Sequence, residues 1–309
     1  MTATEVRPRV AILGAGAMGS LFAYRLAELN DVTLVDVRGD VVETIGAQGV
    51  QQDDLPVRRV VATREPSAAF KTNYLFLFVK APYTLAAIRP FGGMLNPATP
   101  IVSLQNGLGN EEAIKAALGG AVSLVIGVTD LAALAVGHGR SRRQGLGSTV
   151  VGSAGASTTA VRAVRDLIGR AGFDCAIAYD IRPHLWGKLL ANAAINPIAA
   201  LADARNDVVA SDTDAAELAR AVALEGAEVA RALNINLPFR DPWEYVRGIV
   251  AQTASVRNSM TVDLSARMTT EIDQVNGAIV AAGRRLGIAT PYNEALLRLV
   301  RAKQRAPRD

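Results

Sequence analysis

The sequence predicts an α/β protein in which a doubly wound N-terminal domain with a mainly parallel sheet precedes an all-α C-terminal domain. Continuously apolar runs alternate with helical patterns in the first half, which is typical of parallel strands covered on both faces. A glycine-rich turn joins the first strand to the first helix. From about residue 181, strand signals stop and apolar residues recur with helical spacing. We therefore predict domains at residues 1–180 and 181–309.

The elements of the N-terminal domain follow from these patterns in order along the chain. Apolar runs predict strands at 9–13, 32–36, 57–62, 74–79, 101–104 and 122–128. The spacing between them predicts helices at 17–29, 40–48, 82–90 and 110–118. A glycine-rich stretch, 137–155, is expected to form strands and turns that close the domain. Such alternation favours a parallel sheet with helices on both faces.

The C-terminal domain is predicted to be helical throughout. Apolar periodicity places helices at 182–202, 212–234, 243–256, 261–286 and 292–304. In the first of these, Pro197 is expected to end or kink the helix and to leave the carbonyl of Ala193 without its usual donor.

Composition argues against several classes of protein. Half of the 309 residues are hydrophobic and 20% are charged, which is enough for a large core and about two domains. One cysteine excludes a disulfide framework, and two distant histidines leave little for a metal centre. No apolar run reaches about 18 residues and no signal-peptide core is evident, so we expect a cytoplasmic protein without a membrane span.

The net charge of +4 does not indicate a nucleic-acid partner. The last twelve residues carry five basic side chains and one acid, so the rest of the chain is electrically balanced. Binding to polyanions needs a basic patch on the folded surface, which a basic tail does not supply. We therefore expect no nucleic-acid partner.

The glycine-rich turn predicts a dinucleotide site. It directly follows the apolar strand RVAIL and opens a helix, which is the context of a Rossmann-type GxGxxG motif. The first glycine permits a tight turn, the second lets the backbone approach a pyrophosphate, and the third lets helix and strand pack closely. The helix N-terminus then offers free N–H groups to phosphate. The residues of this predicted site are Gly14, Ala15, Gly16, Ala17, Met18 and Gly19.

The end of the second strand bears on the form of the cofactor. Asp36 lies 22 positions after Gly14, near the spacing of an acid that binds the ribose 2′-hydroxyl, and so favours NADH. Arg38 would instead stack on adenine or pair with the 2′-phosphate of NADPH. The cofactor is therefore predicted as NAD(P)H, with Asp36 favouring NADH.

Polar residues also follow other predicted strands, at the edge where ligands of parallel sheets bind. Lys80 follows YLFLFV, Asn106 follows IVSLQ, and Thr129-Asp130 follows VSLVIGV. An Asn-Gly dipeptide is also common in turns, so a purely structural role for Asn106 stays open.

The sharpest constellation is Lys188, Asn192 and Asn196. Steps of four residues place these side chains on one face of a helix whose other positions are apolar. The chain uses only five lysines among 33 basic residues, so a lysine in a buried helix indicates a specific need. A desolvated lysine can exchange a proton near neutral pH, which arginine cannot do. The alternative is a buried ion pair, for example with Glu271.

The chain resembles the ketopantoate reductases in several sequence motifs. The shared landmarks are GAGAMGS (14–20), VKA (79–81), LQNG (104–107), LWGKLLANAAINPIAAL (185–201) and NSM…TEIDQVNG (258–277). The resemblance implies hydride transfer from a nicotinamide to a 2-keto acid, in a homodimer with a cleft between its domains. It implies Lys188 as the general acid, with Glu271 supporting it.

The resemblance also implies the remaining site residues. Substrate ligands would be Asn106, Asn192, Asn196, Asn206 and Ser259. Asn258 is a further candidate, because its amide, like the Ser259 hydroxyl, can bind a carboxylate without adding charge. Besides the glycine turn, Asp36 and Arg38, the cofactor would be held by Lys80, Asn106, Ala133 and Glu271. From periodicity alone, Asn258, Ser259 and Glu271 would be ordinary helix residues.

The sequence departs from the family pattern at two places. The resemblance implies NADPH as the default coenzyme of the family. Asp36-Val37 stands where family members that use NADPH commonly carry an arginine, with Arg38 shifted by one position, and Val256 replaces a substrate-binding amide. Reduction of 2-dehydropantoate to pantoate is the leading prediction. An NADH-dependent 2-hydroxyacid dehydrogenase or another small-carbonyl reductase, a 3-hydroxyacid dehydrogenase and a non-catalytic cofactor sensor remain as alternatives.

Overall fold

The computed structural model describes residues 7–120, 122–145 and 147–306, which form two compact units. Residues 106–109 belong with the second unit, although the rest of that unit begins at Arg182. Residue 146 of the glycine-rich stretch, and residues 307–309 of the basic C-terminal stretch, lie outside the described residues.

The first unit contains the strands of the protein. They are β1 (Arg9–Leu13), β2 (Asp31–Val35), β3 (Gln51–Gln52), β4 (Val61–Thr63), β5 (Tyr74–Leu77), β6 (Ile101–Ser103), β7 (Leu124–Thr129), β8 (Ala132–Gly137), β9 (Arg140–Gln144), β10 (Thr149–Ser153) and β11 (Cys175–Ile177). Its helices are α1 (Ala17–Leu26), α2 (Gly39–Gln48), α3 (Thr84–Ile88), α4 (Asn110–Leu118) and α5 (Thr158–Arg170).

The main sheet has the strand order β11-β10-β7-β6-β5-β1-β2-β4. Every neighbouring pair in it is parallel except β7 with β10. The predicted doubly wound α/β class is therefore confirmed. A smaller sheet of β3, β9 and β8 lies beside α1.

The strand order creates a switch point beside β1. This strand pairs with β2 on one side and with β5 on the other, so successive connections leave it in opposite directions. In open α/β sheets, ligands bind beyond the carboxyl ends of the strands at such a point. The segments that follow β1, β2 and β5 begin at Gly14, Asp36 and Phe78, and they therefore meet at one edge.

Aromatic side chains fill the space between this sheet and α1. Phe22 is fully buried, and its ring lies 4.6 Å from the rings of both Phe78 and Phe173. The surrounding strands contribute continuous buried runs, as expected for a sheet covered on both faces. This packing fixes α1, and with it the glycine turn that precedes it.

The second unit is helical. Its helices are α6 (Arg182–Leu201), α7 (Val208–Ser211), α8 (Thr213–Ala232), α9 (Pro242–Thr253), α10 (Ser259–Ser265), α11 (Asn276–Leu286) and α12 (Pro291–Arg305). The all-α prediction for this part of the chain is confirmed. Thirteen of the twenty residues of α6 are buried, so α6 is the central helix of this unit.

Some predicted elements differ from the structure. The strand predicted at 57–62 is the short β4, while Arg58 pairs with Val50 in an isolated bridge. Helix α5 and strand β11 were not predicted. The helix predicted at 261–286 is interrupted between α10 and α11, because Arg267 adopts a left-handed backbone (φ 54°). The Met268 N–H then donates to Asp263 O at 2.7 Å and closes α10.

Candidate functional site

The glycine turn leaves an open space at one position only. A Cβ at Gly14 would lie 2.7 Å from Val79 N, and a Cβ at Gly19 would lie 1.9 Å from Gly14 O. Both glycines are therefore required by close packing, and Gly14 also has a φ of 98°. A Cβ at Gly16 would meet no atom within 4 Å. Gly16 caps α1 without a side-chain hydrogen bond, so this open backbone fits a pyrophosphate at the helix N-terminus.

Asp36 anchors this turn to the end of β2. Its Oδ2 accepts the N–H of Ala15 at 2.8 Å and Nη2 of Arg38 at 2.8 Å. Its Oδ1 accepts the backbone N–H and Nε of Arg38 at 3.0 and 2.9 Å. These four bonds use the approximately four acceptor sites of a carboxylate.

The same bonds set the charges of the pair. Burial opposes ionisation of Asp36, but the hydrogen bonds from Arg38 and Ala15 outweigh it and hold the pKa of Asp36 below its usual value. The hydrogen bond to Asp36 raises the pKa of Arg38. The Arg38 side chain remains half exposed, whereas the Asp36 side chain is 7% exposed. The Arg38 guanidinium is therefore the exposed charged group at the end of β2.

Gln105 is a buried residue at the same edge that sequence reasoning did not single out. Its Nε2 donates to Val79 O at 2.8 Å and to Thr84 Oγ1 at 2.7 Å. Its Oε1 accepts the hydroxyl of Ser103 at 2.8 Å. These bonds tie the end of β6 to the segment after β5 that carries Lys80. The signal that would have found it is an amide two residues after the buried strand β6.

Two other predicted cofactor residues lie elsewhere in the first unit. Lys80 is partly buried and precedes a short 3-10 turn, Ala81–Tyr83, whose Tyr83 N–H donates to Lys80 O at 2.8 Å. Ala133 is the second residue of β8, opposite Arg143 of β9 in the smaller sheet.

Asn106 and Glu271 meet although 165 residues separate them. Asn106 Nδ2 donates to Glu271 Oε2 at 3.2 Å, and the Leu108 N–H donates to Gln274 O at 2.9 Å. A Cβ at Gly107 would lie 2.5 Å from Gln274 O, so the approach of these segments requires glycine. Helices α10 and α11 are separate, and Glu271 lies in the turn before α11. Periodicity predicted a helix residue at this position, and that prediction is wrong.

Lys188, Asn192 and Asn196 lie on α6 with the predicted steps of four. Lys188 and Asn192 are half-buried, and Asn196 is 9% exposed. Three donors in a row along one face of a largely apolar helix suit a substrate with a carbonyl and a carboxylate. The helix continues past Pro197, and Asn276 donates to the Ala193 carbonyl at 3.1 Å.

Asn206, Asn258 and Ser259 form a third group. Asn258 caps α10, since its Oδ1 accepts the Thr261 N–H at 3.0 Å, and its Nδ2 donates to Asn206 Oδ1 at 2.9 Å. Asn206 Nδ2 donates in turn to Thr253 Oγ1 at 3.1 Å. Ser259 is exposed at the first position of α10. The polar atoms of Asn258 are thus engaged with the protein, whereas Ser259 is accessible.

Neither a membrane-spanning helix nor a metal-binding cluster occurs among the described residues. Within residues 7–120, 122–145 and 147–306, no helix is long and apolar enough to cross a membrane. The same residues contain no group of three or more His, Cys, Asp or Glu side chains placed to hold a metal ion.

Comparison with known families decides where the chain belongs. Residues 10–156 match the family model described as ketopantoate reductase PanE/ApbA, and residues 180–304 match the model of its C-terminal part. The chain belongs to the ketopantoate reductase family. The predicted resemblance is confirmed, and membership makes the protein an oxidoreductase.

Similar proteins of this family support the assignment. A 2-dehydropantoate 2-reductase of Pyrobaculum aerophilum is 35% identical over 295 residues, covering 95% of this chain and 97% of its own. A crystal structure of a PanE/ApbA family ketopantoate reductase from Ralstonia eutropha JMP134 superposes with a TM-score of 0.88, at 28% identity and covering 96% and 98% of the two chains.

One structural neighbour has another activity. A ternary structure of D-mandelate dehydrogenase with NADH and anilino(oxo)acetate superposes with a TM-score of 0.86 and 26% identity, covering 96% of this chain and 98% of the other. The same fold therefore also occurs in a dehydrogenase of another 2-hydroxy acid.

Proposed function

We propose that this protein reduces 2-dehydropantoate to pantoate with a nicotinamide cofactor. The observation that carries the proposal is the face of α6 formed by half-buried Lys188 and Asn192 with buried Asn196, in a chain of the ketopantoate reductase family. The glycine turn, Arg38 and Lys80 would hold the cofactor, which supplies the hydride when bound. Asn106 and Glu271 are proposed as further contacts to cofactor or substrate.

The three polar residues of the α6 face then have defined roles. Lys188 donates a proton to the oxygen of the former keto group as hydride reaches the neighbouring carbon, so that no free alkoxide forms. Asn192 and Asn196 donate hydrogen bonds that orient the substrate without adding charge. Ser259, at the accessible N-terminus of α10, is proposed to bind the substrate, and Asn258 to hold Asn206 in place for the same purpose.

The role of Lys188 is tested by its replacement. In Lys188→Ala we expect kcat to fall at least 100-fold, because a positioned acid contributes about 10²–10⁴-fold. The dissociation constant for the cofactor, measured by nicotinamide fluorescence, should change less than about twofold. Lys71→Ala, which removes an exposed lysine, is the matched control. Unchanged turnover of Lys188→Ala would show that another group supplies the proton.

We propose NADPH as the preferred coenzyme, with Arg38 binding its 2′-phosphate. The spacing of Asp36 favours NADH, but its carboxylate already accepts four hydrogen bonds, from Ala15 and Arg38. The group left half exposed is the guanidinium, which suits phosphate. Arg64 adds a second basic side chain, 3.9 Å from where a Cβ at Gly39 would lie.

Steady-state kinetics with both coenzymes tests this preference. In Arg38→Ala we expect KM for NADPH to rise at least about tenfold, the value of a charge-assisted hydrogen bond. KM for NADH should stay the same or fall, because Asp36 becomes available to the ribose hydroxyl. Arg59→Ala, at an exposed arginine of the same unit, is the control. Equal losses for both coenzymes would contradict a contact with the 2′-phosphate.

A second candidate activity is favoured by the structural similarity to D-mandelate dehydrogenase. Initial rates with 2-dehydropantoate, 2-ketoisovalerate, pyruvate, phenylpyruvate and the keto acid of mandelate distinguish the two. A preference for aromatic keto acids would make the protein a 2-hydroxyacid dehydrogenase of the same family.

We also propose the homodimer that the family resemblance implies. Light scattering coupled to size-exclusion chromatography tests it.

A further inference from the structure

Helix α6 contains a break in its hydrogen bonding at the level of the proposed substrate residues. Pro197 has no N–H, so the carbonyl of Ala193 lacks the donor that a helix normally supplies four residues later. Ala193 is fully buried, which keeps water from replacing that donor. Ala193 lies between Asn192 and Asn196 in the sequence, and the helix nevertheless continues to Leu201.

A side chain from another helix supplies the missing hydrogen bond. Nδ2 of Asn276, the first residue of α11, donates to Ala193 O at 3.1 Å and to Asn293 Oδ1 at 3.0 Å. Asn276 is fully buried, and its Oδ1 has no hydrogen-bond partner in the described part of the chain. The opposite orientation of the amide would set its oxygen against two acceptors. Asn276 is therefore held in place for its two donors.

The hydrogen bonds continue from Asn276 into two more helices. Asn293 Nδ2 donates to Val222 O of α8 at 3.1 Å and to Glu225 Oε2 at 2.8 Å. Glu225 also accepts the N–H groups of Tyr292 and Asn293 at the start of α12, at 2.9 and 3.0 Å. The Ala193 carbonyl is thus connected through Asn276 to α8, α11 and α12. We call these groups the Asn276 network.

We propose that Asn276 is a positioning residue for the reaction. By giving Ala193 the donor that Pro197 withholds, it holds α6 against the segment that carries Glu271, five residues before Asn276. The face formed by Lys188, Asn192 and Asn196 then keeps one position relative to Glu271. This inference rests on the proposed function of that face. Misplacement of about 1 Å in such a site costs about 100-fold in rate.

A double-mutant cycle tests the inference. Asn276→Leu removes both donors without adding a charge, and Pro197→Ala restores an N–H that can donate to Ala193 O. We expect Asn276→Leu to lower kcat at least about tenfold while the dissociation constant for the coenzyme stays within about twofold. In the Pro197→Ala background the same substitution should lower kcat less than about threefold, because the carbonyl is satisfied within the helix.

Asn30→Leu is the matched control. Asn30 is also a buried amide that donates to a helix carbonyl, Leu26 O at 2.8 Å, and its Oδ1 also lacks a partner in the described residues. We expect Tm to fall by about 3–6 °C in both leucine variants, but kcat to fall only in Asn276→Leu. If Asn276→Leu does not fold, Asn276→Ser, which keeps one donor, takes its place in the cycle.

Two outcomes would overturn the inference. If Asn276→Leu lowers Tm but leaves kcat unchanged, the role of Asn276 is purely structural. If Asn276→Leu lowers kcat as much in the Pro197→Ala background as it does alone, Pro197 does not create the need for Asn276. Failure of the proposed function is distinguishable, since the wild-type protein would then not turn over 2-dehydropantoate, while the coupling in Tm between Asn276 and Pro197 would persist.

Discussion

At the scale of single residues, the Asp36 carboxylate holds both the glycine turn and the Arg38 side chain in place. Its side chain is 7% exposed and connects the glycine turn after β1 to the end of β2. The same oxygens hold Arg38 at two points, which fixes the direction of a cation that would otherwise move freely. A neutral amide at this position would lose the charge and two of the four acceptor sites.

We therefore expect Asp36→Asn to lower the free energy of unfolding by about 2 kcal/mol at pH 7. The pKa of Asp36 is depressed in the folded state, so its contribution is present above about pH 4 and is lost as the pH falls through the folded-state value. Urea unfolding of both proteins at pH 7 and at lower pH should show the difference shrinking with acidification. Asp31→Asn, at an exposed carboxylate 3.7 Å from Arg7, should change stability by less than about 0.5 kcal/mol.

At the scale of elements, α10 joins local helix capping to the proposed substrate residues. Asn258 uses its oxygen to cap the helix and its amide to hold Asn206. Aspartate is an equally good cap but cannot donate, so two substitutions separate the two functions. The break before α11 likewise places Glu271 in a turn beside Asn106, where a continuous helix would not present it in this way.

We expect Asn258→Ala to cost about 1 kcal/mol of stability from the lost cap, which Asn258→Asp keeps. Both variants should lose at least about 1 kcal/mol more, because the buried Asn206 Oδ1 is left without its donor. Both should raise KM for the keto acid, because Asn206 loses its donor in each. Asp212→Ala removes the corresponding cap of α8, whose Oδ1 accepts the Ala215 N–H at 2.8 Å. That control should lose only the capping part of the stability, with KM unchanged. A normal KM in Asn258→Asp would mean that capping is the whole role of Asn258.

At the scale of the whole molecule, the two units carry separate parts of the proposed reaction and have separate cores. Sheet and helix residues around Phe22 form one core, and residues around α6 form the other. The proposed coenzyme contacts at the glycine turn belong to the first unit, and the α6 face belongs to the second. Residues 106–109 are the part of the N-terminal half that joins the second unit, through Asn106 and Leu108.

This division predicts that binding defects separate between the glycine turn and the α6 face. Gly16→Ala places a methyl group in open space, so we expect a stable protein whose dissociation constant for NADPH rises at least about tenfold. Asn196→Ala should instead raise KM for the keto acid and leave coenzyme binding within about twofold. Gly46→Ala, in α2 and also facing open space, is the control for the glycine substitution. Unaltered NADPH binding in Gly16→Ala would exclude the turn as the phosphate site.

Much of the fold was predictable because its signals are local. Apolar runs and the glycine turn identified β1, β2, β5, β6 and β7, and helical spacing identified α6. The helix predicted at 261–286 failed because apolar residues keep a helical period across a left-handed residue, Arg267, which periodicity does not detect. The proposed site residues on α6 were found in the same way as α6 itself, from steps of four.

The sequence by itself determined the fold class, the family and the spacing of Lys188, Asn192 and Asn196, since these depend on residues close together in the chain. Only the tertiary structure decided which partners the polar side chains have. Asp36 is bound by Ala15 and Arg38, Asn106 meets Glu271, and Asn276 satisfies Ala193. The physical reason is that a buried polar atom must find a partner, and packing rather than sequence distance brings that partner within about 3 Å.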